Sequence, residues 1–267
     1  MVRHTKSTGF RMPKQSFQKF RRAVLSRAVS PDTDTRLSEI GVFQQVERGT
    51  PVLLAGQTDQ LVFLAEGATK LVARGADQTE QILAFHFAGD MIYVPRRSKG
   101  NFDLIALADC RVISFSAKDF LEIAECEPPI LRTILTRTLL ALHRSRNKAI
   151  RLGRRAAQER IADFLLAMAD RIGSDEGSCI TLRLPMSRRD IGNSLGLTIE
   201  TVSRQFTELR DEQVIGTTGR SIVRLLNLPE LTLRAGHAPS PSSESEICAG
   251  SKNDQRSLAI AAADPGV

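Results

Sequence analysis

Between about residue 40 and residue 115, apolar residues fall in short runs separated by glycine and polar turns. Examples are PVLLA (51–55), QLVFLAEG (60–67), TKLVARG (69–75), EQILAFHFAGD (80–90) and DCRVISF (109–115). Runs of this length predict an antiparallel sandwich or barrel. The glycines at 49, 56, 67 and 89 stand where turns need positive φ or a close backbone approach. A short helix follows over 117–125, and Pro128–Pro129 punctuate the chain. Beyond them Leu131, Leu135, Thr138, Leu142, Ser145, Ala149 and Leu152 recur with alternating spacings of four and three, a heptad seam. Arg132, Arg137, Arg144, Arg146 and Lys148 flank it. A narrow stripe among charges suits pairing with a second copy better than burial in one chain, although a single-chain core helix stays open. Gly153 ends this helix, and 154–172 forms another with Ile161, Phe164, Leu165 and Met168 on its apolar face.

The pattern then tightens. After a strand-like ITLRLP (180–185), residues 187–215 read SRRDIGNSLGLTIETVSRQFTELRDEQVI. Ser187 is an N-cap candidate for a short helix that turns Ile191 and Leu195 to one side. Gly196 gives a tight turn, and Thr198 caps a second helix placing Val202, Phe206 and Leu209 inward. Two helices joined through a Gly-containing turn predict a helix-turn-helix, with an ordinary αα-hairpin as the alternative. VIGTTGRSIVRLLN (214–227) reads as a hairpin turning at Gly216 and Gly219, the wing of a winged helix. Arg220 on it is placed to touch a phosphate, which positions a protein without reading sequence.

The outward face of the second helix carries the candidate chemistry. Glu200, Ser203 and Arg204 lie at i, i+3 and i+4 and point the same way. In a major groove an Arg bonds bidentately to guanine O6 and N7, and a Glu accepts from the cytosine N4 amine. The same triplet fits equally well a Glu–Arg surface pair worth about 0.2–0.5 kcal/mol.

The run DIGNSLGLTIETVSR resembles the recognition segment of the CRP/FNR superfamily of bacterial transcription regulators. Its E-x-x-S-R pattern, Glu200 to Arg204, is similar to the FNR and FixK branch; the cAMP receptor protein branch has Gly where Ser203 stands. The resemblance covers about residues 38–229. It implies an α+β chain with a cyclic-nucleotide-binding-like β-roll sensor (38–126), a dimerisation helix (127–153) and a winged helix-turn-helix (154–230). It further implies a cytoplasmic homodimer, an activator working with RNA polymerase, on double-stranded DNA of TTGAT-N4-ATCAA type. Glu200, Ser203 and Arg204 would read bases, and Ser187, Arg188, Thr198 and Thr201 would hold the phosphate backbone. By association the family suggests low-oxygen, nitrogen-fixation or denitrification control.

The departures from family patterns matter as much. Gly89–Asp90–Met91 resembles the turn where cyclic-nucleotide binders hold the ribose, but they carry Glu where Asp90 stands. Gly100 and Asn101 fall where their phosphate-clamping Arg-Ser pair belongs, and Arg97–Ser98 come too early. No cAMP or cGMP binding is expected. The N-terminal segment has no cysteine for an iron–sulfur cluster, which needs several thiolates, so Cys110 reads as a core residue. Tyr93 and Pro95 replace the ligands of a haem-binding relative. The expected cofactor list is therefore empty, as in FixK-like members governed by abundance or cysteine oxidation. Cys179, near Arg183, Arg188 and Arg189, is a redox candidate against the alternative of an inert strand cysteine.

Composition narrows the remaining classes. The net charge of +7 fits a polyanion partner. No run approaches the ~18 apolar residues of a membrane helix, so no membrane partner is expected. The four cysteines, Cys110, Cys126, Cys179 and Cys248, have no metal-ligand spacing. Nothing resembles a nucleophile elbow or phosphate loop, so no enzyme, catalytic residue or metal site is expected. Residues 1–37 are basic, with Phe10, Phe17 and Phe20 interleaved. They read as a solvated, partly ordered tail, with an amphipathic helix or a nucleic-acid or membrane-surface arm as alternatives. Residues 236–267 are Ser/Pro-rich and read as disordered. A cyclic-nucleotide-responsive regulator using Arg97–Ser98, and a protein-assembly module without DNA, remain as other readings.

Overall fold

The structure is a computed structural model of the chain. It describes residues 13–25, 29–54, 58–75, 80–96, 101–154, 156–177 and 179–237. Two helices lead: α1 (Lys14–Val24) and α2 (Pro31–Ile40). Seven strands follow: β1 (Val42–Val46), β2 (Gln60–Glu66), β3 (Ala68–Arg74), β4 (Glu80–Phe87), β5 (Met91–Val94), β6 (Asn101–Ala106) and β7 (Cys110–Ser116). Next come α3 (Ala117–Ala124), the 27-residue α4 (Pro128–Arg154) and α5 (Ala157–Ile172). The chain closes with β8 (Gly173–Asp175), β9 (Ile180–Arg183), α6 (Arg188–Leu195), α7 (Ile199–Asp211), β10 (Ile215–Thr218), β11 (Ile222–Leu225) and α8 (Leu228–Arg234).

The first seven strands make two antiparallel sheets, β1-β7-β2-β5 and β4-β3-β6, facing each other as a roll. Val62, Leu64, Ile92, Val94, Leu104 and Val112 fill its interior. The β2–β3 corner requires glycine. Gly67 has φ +89°, and a Cβ there would lie 2.5 Å from the Asp109 carbonyl oxygen. The described part of the run at 51–55, residues 51–54, is not a strand. Pro51 bridges Ile105 and the Val52 N–H donates to the Leu104 carbonyl, but the Leu53 backbone is engaged by the Gln44 side chain. Strands β1 and β5 are only five and four residues long, and β6 begins on Asn101 and carries Asp103, so none makes a long apolar run.

The basic tail expected through residue 37 is folded from Lys14 onward. Ser16, Phe20 and Val24 recur every four residues and bury one stripe of α1. Phe20 packs edge-on against Phe63 at 5.4 Å and lies 5.1 Å from Phe115, so α1 closes one face of the roll. Ser30 caps α2 by accepting the Thr33 N–H, with Pro31 in the first turn. Glu127, just before α4, accepts from both the Ser30 N–H and the Thr33 hydroxyl. Charge dominates the composition of this segment, but the apolar spacing decides its structure. Phe10 and the residues before Pro13 lie outside the described residues.

The seam expected on α4 is exposed along its middle and partly covered at both ends. Leu131 packs against the cluster beneath α1, and Leu152 is half-buried beside Gly196. Between them Leu135, Leu139, Leu142 and Ile150 form an exposed apolar stripe, with Thr138, Ser145 and Ala149 exposed beside it. At the N-terminal end of α4, Ile130, Leu131 and Ile134 face the chain's own core instead. The winged domain likewise runs past residue 230, since α8 packs on α5 and His237 meets Asp163 at 2.7 Å. Most of the C-terminal stretch expected as disordered, with Cys248, lies outside the described residues.

Candidate nucleic-acid interface

Helix α6 begins with a reciprocal cap. The Asp190 N–H donates to Ser187 Oγ at 3.1 Å, and the Ser187 N–H donates to Asp190 Oδ2 at 2.9 Å. The helix ends at Gly196, held left-handed with φ +64°, where a side chain would be strained. Thr198 then caps α7, its Oγ1 accepting the Thr201 N–H at 3.2 Å. Ile191, Leu195, Val202, Phe206 and Leu209 are buried, as their spacing predicts. Strands β10 and β11 form the hairpin wing, and β9 and β8 extend its sheet. This is a winged helix-turn-helix.

Glu200, Ser203 and Arg204 are all exposed on the outward face of α7. Ser203 Oγ donates to the Ile199 carbonyl at 2.8 Å. The carboxylate paired with Arg204 is Glu208 at 3.9 Å, not Glu200, so the pair expected to read bases is not spent on itself. The Arg204 side chain is 70% exposed, which leaves its guanidinium available.

The residues expected to contact the phosphate backbone divide. Thr198 and Thr201 sit together at the α7 N-terminus, their hydroxyls 3.1 Å apart, where the helix dipole favours an anion. Ser187 has its hydroxyl engaged in the cap, donating to Asp190 at 2.6 Å. Arg188 is folded inward. Its guanidinium carbon lies 3.2 Å from the Phe206 ring centre, and burial pushes its pKa down to about 10. Its Nη1 is buried without a hydrogen-bond partner among the described residues. Arg220 is exposed on the wing.

Between the α6 N-terminus, α7 and the wing runs a groove of about 770 Å³. Arg188, Arg189, Arg210 and Arg220 line it together with Ser203 and Thr207, and among the described residues no Asp or Glu does. Sequence reasoning missed Arg189 and Arg210 as groove residues. Their signal is spacing: Arg210 lies one further turn along the face that carries Ser203 and Phe206.

The roll docks directly on this domain. Phe85 packs edge-on against Phe164 of α5 at 6.2 Å, and Val72, Ile82 and Phe87 share one core with α5 and α6. Asp90, at the turn compared with a ribose-binding site, instead holds Arg171 of α5 and accepts the Phe87 N–H at 2.9 Å. Burial pushes the Asp90 carboxyl up. The neighbouring His86, Arg171 and the Phe87 N–H more than reverse this and hold it at about 2. The clamp candidates Arg97–Ser98 and Gly100 lie outside the described residues. Cys110 is a buried core thiol, donating to the carbonyls of Ala68 and Ala108, and burial pushes its pKa up. Cys179 is half-buried in the β8–β9 turn and does not line the groove.

Fold and groove together define a DNA-binding regulator that carries a β-roll. Residues 159–234 match the family model of the Crp-like helix-turn-helix domain, and residues 43–126 that of the cyclic nucleotide-binding domain. The nitrogen fixation regulation protein FixK of Bradyrhizobium diazoefficiens is 38% identical over 144 residues, 54% of this chain and 61% of that relative. The chain thus spans less than two thirds of that relative's length. The transcriptional activator protein FnrL of Cereibacter sphaeroides is 30% identical over 222 residues, 80% of this chain and 88% of FnrL. The solved structure of FixK2 from Bradyrhizobium japonicum superposes with a TM-score of 0.65 at 28% identity, covering 74% of this chain and 99% of that one. The chain belongs to the CRP/FNR superfamily of transcription regulators, in its FixK/FNR-like branch. Among the described residues no helix is long and apolar enough to cross a membrane.

Proposed function

We propose that this chain binds a TTGAT-N4-ATCAA type palindrome as a homodimer and activates transcription through RNA polymerase in the cytoplasm. The observation that carries the reading is the outward face of α7. Glu200 and Arg204 stand unpaired with each other beside a groove whose charged lining is arginine alone. Each protomer offers one such helix, and a two-fold palindrome needs two. The exposed stripe of Leu135, Leu139, Leu142 and Ile150 on α4 supports pairing of copies.

The roll acts without a cyclic nucleotide. Its interior is filled by its own side chains, and Asp90 is committed to Arg171. One relative is named a nitrogen fixation regulation protein, which supports a role in the control of nitrogen or low-oxygen metabolism.

The experiment is an anisotropy titration of the full chain on the palindrome and on scrambled duplex, with no effector added. Tight, salt-dependent binding that prefers the palindrome is the expected result. Equal affinity for both duplexes overturns the proposed site, and binding that appears only with cAMP overturns the ligand-free reading.

A further inference from the structure

The arginine groove is not built by the winged domain alone. Arg48, in the turn after β1 of the roll, lines it alongside Arg189 and Arg220. That turn is firmly held. The Arg48 N–H donates to Asp109 Oδ1 at 3.0 Å, the Gly49 N–H to the Ala106 carbonyl at 2.8 Å, and the Thr50 hydroxyl to the Glu47 carbonyl at 2.7 Å. Gly49 has φ +84°, the conformation that lets four residues reverse and leave the Arg48 side chain exposed.

The roll is fixed in turn to the winged domain. Lys70 of β3 meets Asp190 of α6 at 2.7 Å, and Asp90 holds Arg171 of α5. The place of Arg48 beside α7 therefore follows from packed contacts. No ion-pair partner of Arg48, Arg188, Arg189 or Arg220 is found among the described residues, and Glu47, next to Arg48, does not line the groove. A concave surface with five arginines and no acid fits a ligand with repeated negative charges better than a single small anion.

We propose that Arg48 of the β-roll is a phosphate-contacting residue of the DNA interface. The roll then supplies part of the DNA affinity itself, and any loosening of the roll from the winged domain weakens binding by withdrawing that contact. The inference rests on the proposed DNA-binding function and extends the interface beyond the helix-turn-helix and wing.

The test is anisotropy of the full chain with palindromic and random duplexes across a salt series. Arg48→Ala is expected to weaken both on the order of tenfold, because two contacts per dimer are lost. The slope of log affinity against log salt should fall in magnitude by about 2, at roughly 0.9 per phosphate. Arg48→Lys should restore most of the slope, since a point charge suffices for a phosphate. An Arg48→Ala protein with wild-type affinity and slope overturns the proposal, and so does tighter binding, which would make the turn an obstruction. Arg204→Ala, run in parallel, separates the two claims. If it loses preference for the palindrome while Arg48→Ala changes nothing, the DNA-binding reading stands and the role of Arg48 falls. If the wild-type chain shows no salt-dependent binding to either duplex, both fall.

Discussion

Lys70 Nζ on the β-roll lies 2.7 Å from Oδ1 of Asp190, the carboxylate that also closes the cap of the first helix of the helix-turn-helix. One acid thus serves two structures, and each side chain is only about one sixth exposed. Burial pushes Asp190 up, while Lys70 and Ser187 hold it below its ordinary value. Removing Lys70 leaves a half-desolvated carboxylate with only its own cap as partner. Lys70→Met should lower unfolding stability by about 1–2 kcal/mol, less than for a fully buried pair. Urea denaturation of the full chain checks this, and a stability equal to wild type would show that the contact contributes nothing net.

Asp90 and Arg171 give the second link a pH signature. The folded Asp90 carboxyl sits at about 2, below its ordinary 3.8, so between these values the unfolded chain binds more protons than the folded one. The stabilisation is complete above about pH 5 and is lost as pH falls through 3.8 toward 2. The gap is worth about 2 kcal/mol. Asp90→Asn should therefore cost about that much near pH 7 and almost nothing near pH 2. Denaturation midpoints of both proteins from pH 2 to 7 measure the difference. A gap independent of pH would mean that the carboxylate charge is not what Arg171 recognises.

How far these contacts were legible depends on the range over which they act. The caps at Ser187 and Thr198 and the inward Ile191, Val202 and Phe206 are local, three or four residues apart, and the sequence carries them in full. The exposed Glu200 and Arg204 follow from the same periodicity. Lys70–Asp190 spans 120 residues and Arg171–Asp90 spans 81, so neither leaves a local trace. Arg188 shows a different limit. The family resemblance implies a phosphate contact there, but not that Phe206 offers its ring from the next helix and that the guanidinium lies on it at the groove. The N-terminal segment reads first as a solvated tail and only alternatively as an amphipathic helix, because Phe63 and Phe115, which Phe20 meets, come from the distant folded roll.

Leu139 sits at the centre of the exposed stripe of α4, flanked by Leu135 and Leu142. It is 56% exposed in the single chain, so a charge there costs the protomer little. Leu139→Lys should convert the proposed dimer to monomer in analytical ultracentrifugation while leaving circular dichroism unchanged. Leu131, packed against the chain's own core, should behave oppositely, with Leu131→Ala lowering stability by about 2 kcal/mol or more. A Leu139→Lys protein that remains dimeric at micromolar concentration would place the interface elsewhere.

Arg188 and Arg204 should separate stability from recognition. Arg188 has a desolvated guanidinium and a buried, unpartnered Nη1, so replacing it with an unbranched apolar side chain removes a cost as well as a contact with Phe206. Arg188→Met should leave stability within about 1 kcal/mol of wild type, or slightly raise it. Its effect on DNA should be uniform across sequences, because a groove arginine meets phosphate and not base edges. Arg204 is the converse. Its guanidinium is exposed, held only by Glu208 at 3.9 Å, so Arg204→Ala should leave stability unchanged. On DNA it should cost about 1–3 kcal/mol on the palindrome and relax preference at one G·C pair, with little change on random duplex. Binding of both variants to a panel of duplexes, each with one substituted base pair, reads the two effects apart. A position-specific loss for Arg188→Met, or an equal loss on every duplex for Arg204→Ala, would exchange the roles assigned to them.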